Sequence, residues 1–599
     1  MVVESVAKKN TDLKPVEDWE LYQNGIDYNH SLIPDYYATV NRNWRVYNNQ
    51  QWEGINTGGL PIFILPMFQR IIRHFVASIM TSSVKMNYVV ENIADDTNDA
   101  TEQERLRLAE YLSKNSKDKW EKLKMDSVIR RLLTDGAMSG DMAAYTFWDG
   151  SIKTGQFSGD TYELDKNGEY VLDEAGMPIV KPVPIMGDFI TEAVDGTNVM
   201  FGNPNDPRVN VNGKPNQPYI IIAGREVVSK LRTEAKRFKK ENGLTDEEIN
   251  TLIIPDIEYD EQAGDRGRKE LENRQTQYGK ATYIIKLWAD ENDKIMFNKS
   301  VRNCYIRKDV DTELDIYPVA WANWDTIKNS YHGQAVATGL VNNQLEIDKA
   351  FAKLFKYLGD MAFPKIAYNG NVLPNGITNK IGEGIKVNVD EQTSLSNVIY
   401  PIQPAQIANK IIDIIIIAIE KTMQLMGVSD AFMGTANPEN TSALIVQTKN
   451  SAVPLENVEA SMHQLIEDIG YIWLEMELKK YKVPRKLSID ENGTRQMVMF
   501  DPSKLSDAQF RIKIDVIKGS YINEGNLINT MENLLKQGIV DAVQFMKRMP
   551  DNMIPDKEKL VAELEKKVAQ QEYLQSEEFK MKAVQEFLGQ AQQQQNPQM

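Results

Sequence analysis

Apolar residues recur at three- and four-residue steps in three long stretches of the second half of the chain. Between residues 331 and 358, Val336, Leu340, Ile347, Phe351, Leu354, Phe355 and Leu358 keep the helical period and predict one long helix. Residues 359–403 are turn-rich with short strand-like runs around Pro364 and Lys365. A second helix is predicted over 404–427, isoleucine-rich and stopped by Gly427, a residue suited to the left-handed turn that ends helices. The polar loop 428–441 comes next, with Gly434, Asn437 and Pro438. It exceeds the roughly two to eight residues that usually connect helices, and longer connections are more often functional. A third helix carries Leu455, Val458, Met462, Leu465, Ile469, Ile472, Trp473 and Met476 on one face, and Pro454 within it predicts a kink.

The first half reads differently. Residues 1–60 are polar and aromatic, residues 61–81 read as an apolar helix start punctuated by proline, and a charged helix is predicted near 101–134. From about 140 to 325 short β segments (AAYTFW, EYVL, PYIIIA, TYIIKLW, KIMFN, CYIRKD) alternate with Gly, Asn, Asp and Pro turns, with a charged helical insert near 224–252. Strand alternation returns over 482–520 and helix over 522–549 and 556–589. The tail 590–599, rich in Gln, reads as low-complexity and disordered. The fold class is therefore α+β.

Composition narrows the classes. A chain of 599 residues exceeds one ordinary domain. Its 42% hydrophobic content and mean hydropathy of −0.44 fit a globular protein. The longest apolar run, Ile411–Ile419, is interrupted by Asp413 and is too short to cross a bilayer, so no membrane partner is expected. The N-terminus has no apolar signal core, and Cys304 is the single cysteine, so assembly in a reducing cytoplasm is expected. The net charge of −16 argues against tight wrapping of nucleic acid, but not against a passage through which DNA slides.

The chemistry-bearing motifs are mostly missing. There is no GxxxxGK[ST] loop, so the chain is not expected to be an ATP-driven motor. His30, His74, His332 and His463 lie far apart, without HExxH or CxxC, and no GxSxG elbow exists. Residues 165–176 and 490–496 mimic calcium loops, but Gly168 and Gly176 fall at the wrong loop positions, so both read as Asn-Gly hairpin turns at 167–168 and 492–493. Asp95, Asp96 and Asp99, and Asp246, Glu247 and Glu248, read as solvated helix starts. No catalytic residue, metal or cofactor is expected, and the chain reads as a non-enzyme.

Three blocks carry a family resemblance: WRVYNNQQW at 44–52, YHGQAVATGLVNNQLEIDKA…FPKIAYNG at 331–370, and IEKTMQLMGVSDAFMGTANPENTSALIVQTKNSAV at 419–453. Their order and spacing resemble phage portal proteins, most like those of short-tailed phages, with the crAss-like kind as one candidate. The resemblance implies a portal-like division of the chain. Residues 1–330 would form a wing (β-rich over about 140–325), 331–358 a stem helix, 359–403 the clip and 404–427 the second stem helix. Residues 428–441 would be a tunnel loop, 442–520 a long kinked helix returning to the wing, and 521–589 a helical crown.

It further implies a homo-dodecamer at one capsid vertex of the virion, conducting double-stranded DNA in packaging and ejection. The partners would be the terminase large subunit, a head-tail adaptor, the major capsid protein and a scaffold. DNA would pass Ser429, Asp430, Met433, Thr435, Asn437, Glu439 and Asn440 in the loop and the stem lysines Lys349, Lys353, Lys356, Lys410 and Lys421. The clip would dock partners through Lys365, Tyr368, Asn369, Asn371 and Lys380. The alternative is another virion structural protein, in the capsid interior or tail, with the isoleucine helix buried in an ordinary core and no DNA channel.

Overall fold

In the computed structural model, the aromatic N-terminal region folds as α1 (Glu17–Ser31), α2 (Tyr36–Tyr47) and α3 (Met67–Ile79). The structure describes residues 14–80, 82–91, 100–162, 180–255, 279–362, 365–369, 371, 394, 398–402, 409–428, 453–491, 494–505, 510–518, 530–549, 554 and 557–575. A strand, β1 (Ser82–Val90), precedes α4 (Ala100–Lys122) and α5 (Met125–Ser139). The sequence read α4 and α5 as one helix near 101–134. The chain breaks at Lys124, which adopts φ +54°, and the new helix turns Met125, Ile129, Leu132 and Leu133 into the core.

The β-rich part contains β2 (Asp141–Tyr162), β3 (Val180–Val194), β4 (Val199–Phe201) and β5 (Tyr219–Val227). The charged insert begins after β5, as α6 (Val228–Arg237) and α7 (Asp246–Leu252). Thr245 and Glu248 close a reciprocal capping box at the start of α7, so Asp246, Glu247 and Glu248 lie at a helix start as their spacing suggested. Then come β6 (Lys280–Ala289), β7 (Ile295–Val301), β8 (Cys304–Asp311) and β9 (Val319–Asn323). They make two sheets, ordered β8-β7-β6-β5-β4 and β9-β2-β3.

The long helices are α8 (Val336–Ala362), α9 (Asn409–Leu425) and α10 (Glu456–Lys480), with the strand pair β10 (Lys365–Tyr368) and β11 (Ile399–Ile402) between α8 and α9. Helix α8 starts later than residue 331, because Tyr331, His332, Gly333 and Ala335 are buried beside β2, and it extends past residue 358. Pro454 does not kink α10. It sits in a 3-10 turn, Val453–Leu455, ahead of the helix, where its missing N–H costs nothing. A hairpin of β12 (Arg485–Glu491) and β13 (Thr494–Phe500) pairs Glu491 with Thr494, as the Asn-Gly spacing predicted. Strand β14 (Phe510–Lys518) returns to pair with β1 along its whole length. Helical residues 530–536, α11 (Ala542–Arg548) and α12 (Lys557–Gln575) follow.

One continuous core runs through these parts, from Phe68 and Ile72 on α3 through Leu132, Val319 and Leu340 to Trp473 and Ile512. The strands of the two sheets and the foot of α8 are thus packed into the same interior rather than being separate bodies. A buried ion pair, Lys119 with Glu477, ties α4 to α10, and Tyr481 donates to Asp188 at 2.9 Å beside it. Burial pushes the Glu477 carboxyl up, against the opposing pull of Lys119.

Candidate functional site

The site is the α8–α9 hairpin and the polar structure on which it stands. At the foot of α8, Asp141 on β2 is fully buried and serves four groups. Its Oδ2 accepts from Tyr36 Oη at 2.6 Å and lies 2.6 Å from His332 Nδ1, while Oδ1 accepts from Asn323 Nδ2 at 2.9 Å and Gly333 N at 2.8 Å. The other ring nitrogen of His332 lies 2.9 Å from Asn29 Oδ1. Burial, then the charge of Asp141, holds the Tyr36 phenol well above its ordinary pKa. Gly140 ends α5 at φ +94°, and a Cβ there would lie 2.2 Å from the Gly333 carbonyl oxygen. A side chain would break the contact that anchors the start of α8.

Higher on α8, Gln344 and Asp348 sit four residues apart within a buried face. Asp348 accepts from Leu65 N at 3.0 Å, Gln344 Nε2 at 2.9 Å and Gln51 Nε2 at 2.8 Å. Gln344 accepts from Phe68 N at 2.9 Å and donates to the Leu65 carbonyl. Trp52 Nε1 donates to the Phe63 carbonyl at 2.8 Å, and the Phe63 ring packs 4.9 Å from Phe351 and 5.1 Å from Phe355. Residues 51–66 are therefore a strap along α8, and the Gln51-Trp52 end of the 44–52 block is its fastening. The sequence carried one signal for it, two polar residues at helical spacing among apolar ones.

Helix α9 runs antiparallel to α8 and packs against it, with Thr422 Oγ1 accepting from Asn343 at 3.4 Å and Ile415 buried on the same side of α9. It ends as the sequence predicted. Gly427, at φ +72°, donates to the Gln424 carbonyl, and Val428 N donates to the Met423 carbonyl, which is a Schellman closure. Val428 is buried in the main core, so the exit toward the loop is fixed. The rest of α9 is bare: Ile414, Ile417 and Leu425 are 62, 51 and 83% exposed, against 6% for Ile415.

At about 100° per residue, Asn343 marks the α9-facing side of α8, and Thr422 marks the α8-facing side of α9. On α8, Asp348, Phe351 and Phe355 then fall on the strap flank, and Lys349, Lys353 and Lys356 fall on the other. On α9, Met423 and Ile412 share the strap flank, while Ile414, Lys421 and Leu425 share the lysine flank. The far side of α9, away from α8, carries Asp413, Ile417 and Glu420. The structure thus brings Lys349, Lys353, Lys356 and Lys421 to one side of the hairpin. Lys410 falls within α9 and Lys365 within β10, with side chains outside the described residues. Tyr368, Asn369 and Asn371 are exposed at the end of the β10–β11 pair, where Asn369 N donates to the Val398 carbonyl at 2.9 Å. Ser429, Asp430, Met433, Thr435, Asn437, Glu439, Asn440 and Lys380 lie outside the described residues.

The β-rich part holds a cleft of about 1890 Å³ between its two sheets, lined by Tyr145, Phe147, Tyr283, Phe297, Asp135 and Glu192 among others. Burial, with the charge of Asp195, raises the Asp135 carboxyl to about 7 against the pull of Arg131. No three His, Cys, Asp or Glu side chains gather for a metal ion among the described residues, and no described helix is long and apolar enough to cross a membrane.

A search of curated proteins found no match to the chain. Residues 368–599, from the last residue of β10 through β11 and the isoleucine helix α9 to everything after it, match the family model described as Phage P22-like portal protein, a similarity that supports a bacteriophage portal protein.

Proposed function

We propose that the chain assembles into a ring at one vertex of the virion capsid and forms the channel through which double-stranded DNA is packaged and ejected. The observation that carries this reading is α9. It is apolar around most of its circumference, yet among the described residues only one side is covered by its own chain. A helix that is hydrophobic all round belongs in an interior. Each bare isoleucine leaves roughly 1–2 kcal/mol of burial unrealised, and a neighbouring copy supplies the missing interior. This also disfavours the alternative of an ordinary core, in which α9 would be covered within one chain.

In this reading α8 and α9 are the stem, with the strap flank outward and the lysine flank toward the channel. The loop over 428–441 narrows the channel through Ser429, Asp430, Met433, Thr435, Asn437, Glu439 and Asn440. The clip over 359–403, with Lys365, Tyr368, Asn369, Asn371 and Lys380, receives the terminase large subunit first and a head-tail adaptor later. The major capsid protein and a scaffold meet the wing, and the role is structural rather than enzymatic.

The test is mass photometry with negative-stain imaging of the full-length protein. Closed particles near twelve times 68.2 kDa, roughly 820 kDa, with a central hole are expected, since closed cyclic symmetry is the rule for such assemblies. Monomers or dimers that persist at high concentration, with the capsid protein present, would sink the ring and favour a virion protein without a channel.

A further inference from the structure

We propose that the far side of α9 is one half of a subunit seam, with Asp413, Ile417 and Glu420 of one copy docking on Lys349 and Lys356 of the next copy's α8. The proposal rests on the ring reading and adds the two faces that meet. It also divides the stem lysines: Lys349 and Lys356 serve the seam, and Lys353 with Lys421 faces the channel.

Three observations lead here. The first is spacing. Asp413, Ile417 and Glu420 step by four and three residues, and Lys349 and Lys356 lie seven residues, about two turns, apart, so each set forms a single stripe on its helix. The second is unpaired charge. Asp413, Glu420 and Lys356 are exposed, and among the described residues none has a hydrogen bond or ion pair on its own chain. Among the described residues Lys349 pairs only with Glu346, one turn away on the same helix. The stripes therefore carry opposite charge with little to satisfy it inside the chain.

The third is position. Counting from Asn343 on α8, Lys356 and Lys349 lie toward the side opposite α9, and the Lys356 ammonium reaches the strap near Gly59. Asp413 and Glu420 lie on the side of α9 opposite α8. The acidic stripe and the lysine stripe thus sit at the two outer ends of the hairpin. A head-to-tail ring needs two different, complementary surfaces placed this way.

Heights agree as well. Asn343 is level with Thr422, so Asp413 is level with Ala352, between Lys349 and Lys356. Rotation about a ring axis preserves these levels in the next copy. At about 1.5 Å per residue, Asp413 is within roughly 6 Å in height of both lysines. Ile417 then packs on the methylene stems of those lysines. The apolar contact provides most of the affinity, and the charges choose partner and register.

The experiment uses two full-length variants, K349E/K356E and D413K/E420K, with K353E as a control, read by mass photometry. Each double variant places like charges across every seam and is expected to stay unassembled where the wild-type protein forms rings, with at least about a ten-fold rise in the concentration needed. Mixed one to one, the two variants present opposite charges at every contact of an alternating ring, and rings are expected to return. K353E is expected to assemble normally. Rings from either double variant alone, as readily as from wild type, would overturn the seam while leaving the ring reading intact. So would a mixture that stays unassembled although both variants melt at the wild-type temperature. Should a double variant fail to fold, K356E mixed with D413K gives the same readout with a smaller change. Absence of rings from the wild-type protein would remove the ring reading and the seam with it.

Discussion

Helices α8 and α9 are neighbours of similar apolar character in opposite situations. Helix α8 is held by its own chain along most of its length: Asp141, His332 and two facing glycines at its foot, then Gln344, Asp348 and the Phe63 strap above. Among the described residues, helix α9 touches its own chain on one side and leaves Ile414, Ile417 and Leu425 exposed. Apolar content therefore does not decide where a helix finds its interior. Polar fastenings do, because a buried carboxyl that accepts several donors has one geometry only, whereas isoleucine packs on any apolar surface. The first helix is specified within the chain, and the second waits for another copy.

The strongest way to break this contrast is at Asp141. Replacing it with Ala leaves Tyr36, His332, Asn323 and the Gly333 N–H without their buried acceptor. Each orphaned donor costs on the order of 1–3 kcal/mol, so a loss of about 4 kcal/mol or more is expected, seen as insoluble protein or a large drop in melting temperature. A near-wild-type melting curve for Asp141→Ala would mean that α8 is not fixed from its foot and that the contrast with α9 is overstated.

The distance between Asp141 and its partners explains what the sequence could and could not reveal. Helices α8, α9 and α10 were legible because their apolar spacing is local, and so were the Gly427 stop, the helix start at Asp246, Glu247 and Glu248 and the turn between Glu491 and Thr494. Tyr36 and His332 reach Asp141 across 105 and 191 residues, and periodicity holds no record of such contacts. His332 therefore read as an isolated histidine. The break at Lys124 and the 3-10 turn around Pro454 were missed for a related reason, since packing of the flanking helices decides where each one begins. Of the candidate site, the four described stem lysines were named from the sequence, but their placement on one flank needed the hairpin.

A smaller effect sharpens the comparison at the strap. Asp348→Ala removes the acceptor for Leu65 N, Gln344 and Gln51 at a site with no solvent exposure. A loss of about 3 kcal/mol is expected from those unpaired donors. Burial raises the Asp348 carboxyl pKa, and these three hydrogen bonds oppose that rise, so they stabilise its charged form. Hydrogen exchange over residues 60–66 should speed up in this variant while the core strands stay protected. Unchanged exchange there would mean that Phe63 and its aromatic partners, rather than Asp348, hold the strap.

The smallest expected effect is the most telling, because it compares one substitution at two places. Ile347 on α8 is 4% exposed and Ile414 on α9 is 62% exposed. Truncating Ile347 to Ala removes buried methyl groups and leaves a cavity, at a cost of at least about 2 kcal/mol. Ile414→Ala removes the same atoms from a surface that one chain leaves open, and its effect on the unassembled protein should stay within about 0.5 kcal/mol. Denaturant melts of dissociated protein measure both. If Ile414→Ala destabilises the single chain as much as Ile347→Ala does, α9 already has its cover within one chain and needs no neighbour. If the two separate as expected, the apolar surface of α9 is stability held in reserve, realised only when a second copy arrives.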